Sequence, residues 1–121
     1  YSVGKLGNVM FTHELARRLE AAGRTSIDVN ALHPGYIASH FGGSSRPYIR
    51  FGIRLARPFL MTPEQGARGQ IRLATDPELG GTTGRYFKGR RLSRPSRHSR
   101  DAAACARLWD VSAELTGLGG D

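Results

Sequence analysis

The longest regular pattern of apolar positions in the chain covers residues 1–22. Its first half is apolar nearly all round, while Leu15 and Leu19, with the alanines beside them, form a single stripe in the second half. This spacing predicts a helix over 1–22, and Gly23 follows it as a C-cap residue would. The pattern also predicts that the helix is buried in its first half and lies at the surface in its second half.

Strands and helices are predicted to alternate in the rest of the chain. A short, partly alternating apolar run predicts a central strand of a parallel sheet at 27–32. Thr62, Pro63 and Gln65 have the order of a capping box and predict a helix over 62–75. The remaining predicted segments are a last strand at 84–87, a flexible basic loop at 88–100 and a terminal helix at 101–116 with Asp101 as N-cap and Gly117 at its end. This order predicts an α/β fold.

Length and charge narrow the classes of protein that remain. A chain of 121 residues suits one small domain, whereas a complete dinucleotide-binding fold needs roughly twice that length. The formal charge of +8 favours anionic partners in general, such as nucleic acid, anionic lipid or phosphorylated ligands. The one cysteine, Cys105, excludes an internal disulfide and is compatible with a reducing, intracellular setting. No apolar run approaches the length of about 18 residues that spans a bilayer.

Candidate chemistry lies in the first turns of the first helix, where Tyr1 and Lys5 are four residues apart. Residues at this spacing lie on the same face of a helix. A cation within about 4 to 6 Å favours the anionic form of a phenol, whose pKa is otherwise about 10. Tyr1 beside Lys5 is therefore a candidate proton donor and acceptor near neutral pH. The pair alone is also compatible with a packed tyrosine beside a solvated lysine.

The wider context of this pair resembles a known family. The segment Tyr1-Ser2-Val3-Gly4-Lys5, the helix after it, the strand at 27–32 and the sequence His33-Pro34-Gly35-Tyr36-Ile37-Ala38-Ser39 together resemble the short-chain dehydrogenase/reductase family, with the greatest likeness to its retinol dehydrogenase-like branch. The likeness extends to the segment Leu108-Trp109-Asp110-Val111-Ser112 and so covers nearly the whole chain. It implies an oxidoreductase that transfers hydride between NAD(P) and a carbonyl or alcohol substrate.

The resemblance implies a role for each matching residue. Tyr1 would be the general acid/base, and Lys5 would lower its pKa and bind the nicotinamide ribose. The sequence after the strand matches the family pattern in which backbone and hydroxyl groups hold the nicotinamide. Its members here are Pro34, Gly35, Ile37 and Ser39.

Other parts of the family pattern are absent from this sequence. No glycine-rich turn follows a strand and opens a helix, and the substrate-orienting serine that precedes the tyrosine in the family is absent too. The expectation is therefore the carboxy-terminal half of a Rossmann-type doubly wound parallel sheet, an incomplete domain that is inactive in isolation. NADP is favoured over NAD by the likeness to the retinol dehydrogenase branch alone.

The resemblance also gives expectations for partners. Region 41–61 matches the family's substrate-binding loop, and its arginines recur at helical spacing, which leaves a solvated helix face or contact with a membrane surface open. The expected substrate is a small, lipophilic carbonyl or alcohol. A homo-oligomer is left open. The expected localisation is cytoplasmic, with membrane association through a segment that precedes Tyr1 as an open alternative.

Two alternatives to an enzyme remain at this point. The arginine clusters are compatible with a basic nucleic-acid-binding module, although no nucleic-acid-binding motif is present and specific nucleic acid is not expected as a partner. A catalytically inactive truncated product would carry the same motifs. Metal binding is not expected, because His13 and His40 have no cysteine or carboxylate partners at ligand spacing. At the strand end, His33 is expected to be a buried, hydrogen-bonded residue.

Overall fold

Helices alternate with short strands in the computed structural model, which describes residues 2–35 and 61–118. The helices are α1 (Ser2–Ala21), α2 (Pro63–Thr75) and α3 (Ala102–Thr116), and the strands are β1 (Asn30–His33), β2 (Arg85–Lys88) and β3 (Arg91–Ser93). Short 3-10 helices lie at Pro77–Leu79 and His98–Arg100. The predicted mixed α/β class is confirmed. The predicted substrate-binding region 41–61 lies outside the described residues, apart from Met61.

The three strands form one sheet in the order β1-β2-β3. β1 and β2 are parallel, with Asn30 opposite Arg85 at one end and His33 opposite Lys88 at the other. Parallel neighbours need a crossover connection, and α2 lies in that connection. β3 returns antiparallel to β2, and Phe87 at the centre of this sheet is only 4% exposed.

Capping residues set the boundaries of two helices. The Thr62 side chain accepts a hydrogen bond from the Gln65 backbone N–H while the Gln65 side chain accepts from the Thr62 N–H, so the predicted capping box is confirmed. The Asp101 carboxylate accepts from the backbone N–H groups of Ala103 and Ala104 at the start of α3. Gly117 ends α3 in the left-handed conformation, as its position in the sequence predicts.

The first strand is displaced from its predicted position. The structure begins β1 at Asn30 and ends it at His33, whereas the prediction was 27–32. The preceding residues are held mainly through side chains: the Val29 N–H donates to Thr83 Oγ1, and Asp28 Oδ2 accepts from the Gly81 N–H. The Val29 carbonyl makes a backbone bond to the neighbouring segment, accepting from the Gly84 N–H. Side-chain partners of this kind satisfy the backbone without extending the ladder.

Within 88–100, where a flexible loop was predicted, the structure has strand β3 and a 3-10 helix. Gly89, at a positive φ of 59°, turns the chain into the β2–β3 hairpin. Further along, Ser99 is 1% exposed, and its hydroxyl donates to the Ser96 carbonyl. The Ser99 carbonyl in turn accepts from the buried Cys105 thiol at 3.4 Å. The arginine-rich composition concealed this segment, because its order depends on contacts with α1 and α3 in addition to the local bonds between Ser96 and Ser99.

The predicted burial of α1 is wrong. Val3 in its first turn is 82% exposed, and the buried side chains of α1 are Thr12, Glu14 and Ala16 in the second half. The close contacts explain this distribution, because Phe11 stacks on Trp109 of α3 and Ala16 lies against the sheet. Burial therefore depends on which neighbours a helix meets and not on how apolar its own sequence is.

Candidate active site

The six predicted site residues divide evenly between described and undescribed parts of the chain. Lys5 on α1 and Pro34 and Gly35 after β1 are described, whereas Tyr1, Ile37 and Ser39 lie outside the described residues. Lys5 is exposed, and the Pro34-Gly35 pair is half-buried.

The contacts of α1 with the sheet favour a helix that extends from Ala16 toward the carboxyl edge of the parallel strands. Gly84, whose N–H bonds the Val29 carbonyl, marks the amino end of the β1–β2 pair, and a Cβ on Gly84 would stand 3.3 Å from Ala16. α1 packs along both strands, and Lys5 precedes Ala16 by about 16 Å along the helix axis. A four-residue strand extends about 13 Å. We therefore expect Lys5 on the side of the carboxyl end of β1, after which Pro34 and Gly35 follow.

Gly35 has a backbone conformation that suits glycine alone. Its φ is 103°, and a Cβ at this position would stand 3.0 Å from the Met61 sulfur. The turn after β1 therefore packs with its backbone against the chain that enters α2. In open α/β sheets, ligands bind beyond the carboxyl ends of the strands, so this turn is in the position where a ligand is expected.

His33, the last residue of β1, contributes its backbone to this edge. It is half-buried opposite Lys88, and its carbonyl accepts from the Gly89 N–H at 2.8 Å. That bond joins the end of β1 to the β2–β3 turn. A backbone hydrogen bond to the residue after β2 thus holds the sheet edge that carries Pro34 and Gly35.

A buried carboxylate on α1 is the feature that sequence reasoning missed. Glu14 is 1% exposed and accepts hydrogen bonds from Arg17 Nε at 3.0 Å, Arg17 Nη2 at 2.6 Å and Arg18 Nε at 2.6 Å. The hydrogen bond from Arg17 is the largest cause that holds the pKa of Glu14 below its usual value, and burial opposes it. The sequence signal is a glutamate followed by arginines three and four positions later.

Arg18 links this carboxylate to the last helix. Its Nη2 donates to Asp110 Oδ1 at 3.1 Å, and its guanidinium lies 4.9 Å from the centroid of the Trp109 ring. The same ring stacks on Phe11 with a centroid distance of 4.9 Å and an interplanar angle of 16°. We call these five residues, Phe11, Glu14, Arg18, Trp109 and Asp110, the α1–α3 clamp. It fixes α1 at a point three turns from Lys5 and has no reactive group of its own.

Cys105 is not a candidate nucleophile. The thiol is 2% exposed and donates to the Ser99 carbonyl at 3.4 Å. Burial, with the nearby charges of Glu14 and Asp101, raises the pKa of Cys105 above its usual value. A thiol that stays protonated is a poor nucleophile.

The described residues, 2–35 and 61–118, contain neither a metal-ligand cluster nor a membrane-spanning helix. Within these ranges no three histidine, cysteine, aspartate or glutamate side chains come together as a metal ion would require. The helices of the same ranges are too short or too polar to cross a bilayer.

Comparison with known proteins identifies close relatives. The chain is 37% identical over 126 aligned residues to human retinol dehydrogenase 14, 37% identical over 123 to mouse retinol dehydrogenase 13 and 36% identical over 118 to human retinol dehydrogenase 11. Each alignment covers 98% of this chain and 35% or 36% of the relative. No family model matches the chain.

These relatives confirm the resemblance drawn from the Tyr1–Lys5 spacing and the Pro34–Ser39 segment. The chain spans about a third of the length of the relatives it matches. The alignments reach from one end of the chain almost to the other.

Proposed function

We propose, from the premise that the chain belongs to the retinol dehydrogenase-like branch of the short-chain dehydrogenase/reductase family, that it supplies the proton-transfer and nicotinamide-binding side of an NAD(P)-dependent oxidoreductase. The observation that carries the proposal is the Pro34-Gly35 turn at the carboxyl end of β1, where ligands bind in open α/β sheets. The Lys5 spacing from Tyr1 supports it from the side of α1.

In this proposal Tyr1 moves the proton. Its hydroxyl donates to the carbonyl oxygen of the substrate during reduction and takes the proton back during oxidation. Lys5, one helical turn along, favours the phenolate through its positive charge. The proton transfer would therefore work near neutral pH, where an unperturbed phenol stays protonated.

The residues after β1 would hold the cofactor. The nicotinamide, when bound, supplies or accepts the hydride. Gly35 fits such a role because its backbone, free of a Cβ, lies against Met61 in a conformation that other residues adopt only with strain. Pro34 fixes the entry to this turn, and Ile37 and Ser39 would contribute backbone and hydroxyl contacts. The ammonium of Lys5 would bind the ribose hydroxyls from the side of α1.

The proposed fold is the carboxy-terminal half of a Rossmann-type doubly wound sheet, with β1 and β2 as its last parallel strands. The share of the relatives that the chain covers supports this proposal. The glycine-rich phosphate-binding turn belongs to the other half of such a fold, so we expect the 121-residue chain alone to be inactive. NADP in preference to NAD remains a prediction from the family likeness.

The proposed substrate is a lipophilic carbonyl or alcohol, as the names of the relatives suggest. Region 41–61 would bind it, in keeping with its position between β1 and α2. A homo-oligomer, and a cytoplasmic location with membrane association through a segment before Tyr1, stay predictions.

Replacement of Tyr1 tests the proposal. In the complete protein, Tyr1→Phe removes the hydroxyl and keeps the ring, so we expect the rate of retinal reduction with NADPH to fall about 10²- to 10⁴-fold. NADPH binding, measured by fluorescence titration, should change little. Tyr86→Phe on β2 is the matched control, because Tyr86 is half-buried in the sheet and has no part in the proposed chemistry.

A second variant tests the role of Lys5 separately from that of Tyr1. Lys5→Met should weaken NADPH binding and also move the alkaline limb of the pH–rate profile upward, because the phenol would lose its neighbouring cation. Retention of the parental reduction rate by Tyr1→Phe would contradict the proton-transfer role. Binding of NADPH by Lys5→Met at parental affinity would contradict the role of Lys5 as a cofactor ligand.

A further inference from the structure

A second concave surface lies on the last two turns of α2, outside the candidate active site. It is an open groove of about 440 Å³ lined by Arg68, Ile71, Arg72, Thr75, Asp76 and Arg90, and we call it the α2 groove. Met61, at the start of α2, contacts Gly35, and the middle of the groove lies about 15 Å further along the helix axis. The two surfaces are therefore distinct.

The charges of the α2 groove favour an anion. Arg72 donates from Nε to Asp76 Oδ2 at 2.8 Å and from Nη1 to the Arg90 carbonyl at 2.7 Å, so its guanidinium is held in place. The remaining oxygen of Asp76 accepts from the Glu78 N–H at 3.1 Å. With one carboxylate engaged in this way against three arginines, the lining carries an excess of two positive charges.

Two of these arginines are not held by hydrogen bonds within the described part of the chain. The side chains of Arg68 and Arg90 are exposed and make no hydrogen bond with residues 2–35 or 61–118, although the charge of Arg90 helps to lower the pKa of Asp76 after the hydrogen bonds from Arg72 and the Glu78 N–H. Arginine presents a planar set of donors that matches phosphate and carboxylate oxygens in pairs. The fixed Arg72 between them restricts where an anion can bind.

The floor of the α2 groove is apolar. Ile71 is 58% exposed there, and the Thr75 hydroxyl donates to the Ile71 carbonyl at 2.8 Å, so the polar end of Thr75 is already satisfied. The groove thus combines two exposed arginines with exposed hydrocarbon. A ligand that matches both has an anionic group joined to an apolar chain.

From this combination we infer that the α2 groove binds a phosphate-bearing amphiphile, with the phosphate on Arg68 and Arg90 and the apolar part on Ile71. A bilayer phospholipid and a soluble phosphate ester with a short hydrocarbon chain share this chemistry. Nothing in the inference depends on the oxidoreductase activity.

Calorimetric titration of the complete protein with soluble dihexanoyl phosphatidic acid tests the inference. Arg68→Gln/Arg90→Gln should bind this lipid at least about tenfold more weakly, because two charge-assisted contacts are lost. The matched control is Arg24→Gln/Arg107→Gln, which removes the same charge from exposed positions outside the groove. Ile71→Gln should weaken binding of the lipid but leave the weaker binding of inorganic phosphate unchanged.

Vesicles of phosphatidylcholine with and without phosphatidic acid show whether the ligand is a bilayer phospholipid or a soluble phosphate ester. Sedimentation with acidic vesicles that is lost in Arg68→Gln/Arg90→Gln identifies a bilayer lipid, whereas titration by the soluble lipid alone identifies a free amphiphile. Equal losses in the groove variant and the control variant would overturn the inference, because net charge would then explain the binding. Parental affinity in the groove variant, or equal affinity for inorganic phosphate and the lipid, would overturn it as well.

Discussion

The two halves of α1 differ in how they are held, although their sequences suggest the opposite. The first half is the more apolar, yet Val3 is 82% exposed and Lys5 is exposed too. The second half carries the charged residues, yet Glu14 is 1% exposed and bonded to its arginines. The half of α1 that is fixed to α3 is polar, whereas the half that carries Lys5 is exposed to solvent. Composition alone is therefore a poor guide to the part of a helix that stabilises the fold.

The largest effect on stability is expected when the indole of Trp109 is removed. Trp109→Ala deletes the ring that stacks on Phe11 and lies beside Arg18. We expect a loss of about 3 kcal/mol in the free energy of unfolding, measured by urea denaturation. Leu115→Ala on the same helix is the control, because Leu115 is 82% exposed, and its cost should be within about 0.5 kcal/mol. Equal losses for the two variants would contradict a stabilising clamp.

Neutralising the buried Glu14 carboxylate should lower the free energy of unfolding somewhat less than Trp109→Ala does. Glu14→Gln keeps the shape but weakens three hydrogen bonds from Arg17 and Arg18. Because both arginines can turn to solvent, we expect a loss of about 2 kcal/mol in the free energy of unfolding. Glu20→Gln, an exposed position on the same helix, should be neutral. A neutral Glu14→Gln variant would show that the burial of this carboxylate does not stabilise α1.

Acidification should abolish the difference in the free energy of unfolding between the parent protein and the Glu14→Gln variant. The pKa of Glu14 is lowered in the folded state, first by the hydrogen bond from Arg17, so the unfolded state binds more protons as the pH falls below about 4.3. The stabilisation is therefore complete above that pH and is lost as the pH falls through the folded-state pKa. Urea melts of both proteins between neutral and strongly acid pH measure this. A difference in the free energy of unfolding that stays constant across this pH range would contradict the lowered pKa of Glu14.

The smallest effect is expected at the turn of the candidate site. Gly35→Ala forces an alanine into a φ of 103° and places its Cβ 3.0 Å from the Met61 sulfur, whereas Gly81→Ala, at a φ of 77°, meets nothing within 4 Å. We expect Gly35→Ala to cost about 1 kcal/mol more than Gly81→Ala. The reduction rate of the complete protein should fall only in the Gly35 variant. Equal stability and equal rates would contradict the tight packing of this turn.

Local signals in the sequence predicted the features that depend on local chemistry. The Thr62 and Asp101 caps and the Gly117 terminus follow from hydrogen bonds within one or two turns, and each is present as predicted. The α/β class follows from the alternation of apolar runs. These features need no knowledge of distant neighbours.

Features that depend on distant contacts escaped prediction. Nothing near Ser99 indicates that α3 covers it, and Glu14 is buried by its own arginines and by a helix that lies about 90 residues later. The site residues were recognised through family likeness, because a spacing of four between Tyr1 and Lys5 gives a shared face but no chemical identity. Their roles stay proposals.

Side-chain hydrogen bonds hold the amino edge of the sheet. The Asn30 side chain donates to the Thr82 carbonyl and accepts from the Arg85 N–H, while Thr83 and Asp28 bond the neighbouring backbone. Side chains thus fasten the stretch between α2 and β2 at the end of the strands remote from Pro34 and Gly35. We expect an insertion in residues 80–84 to break these bonds and to loosen the amino edge, while the turn at Pro34 and Gly35 keeps its own contact with Met61.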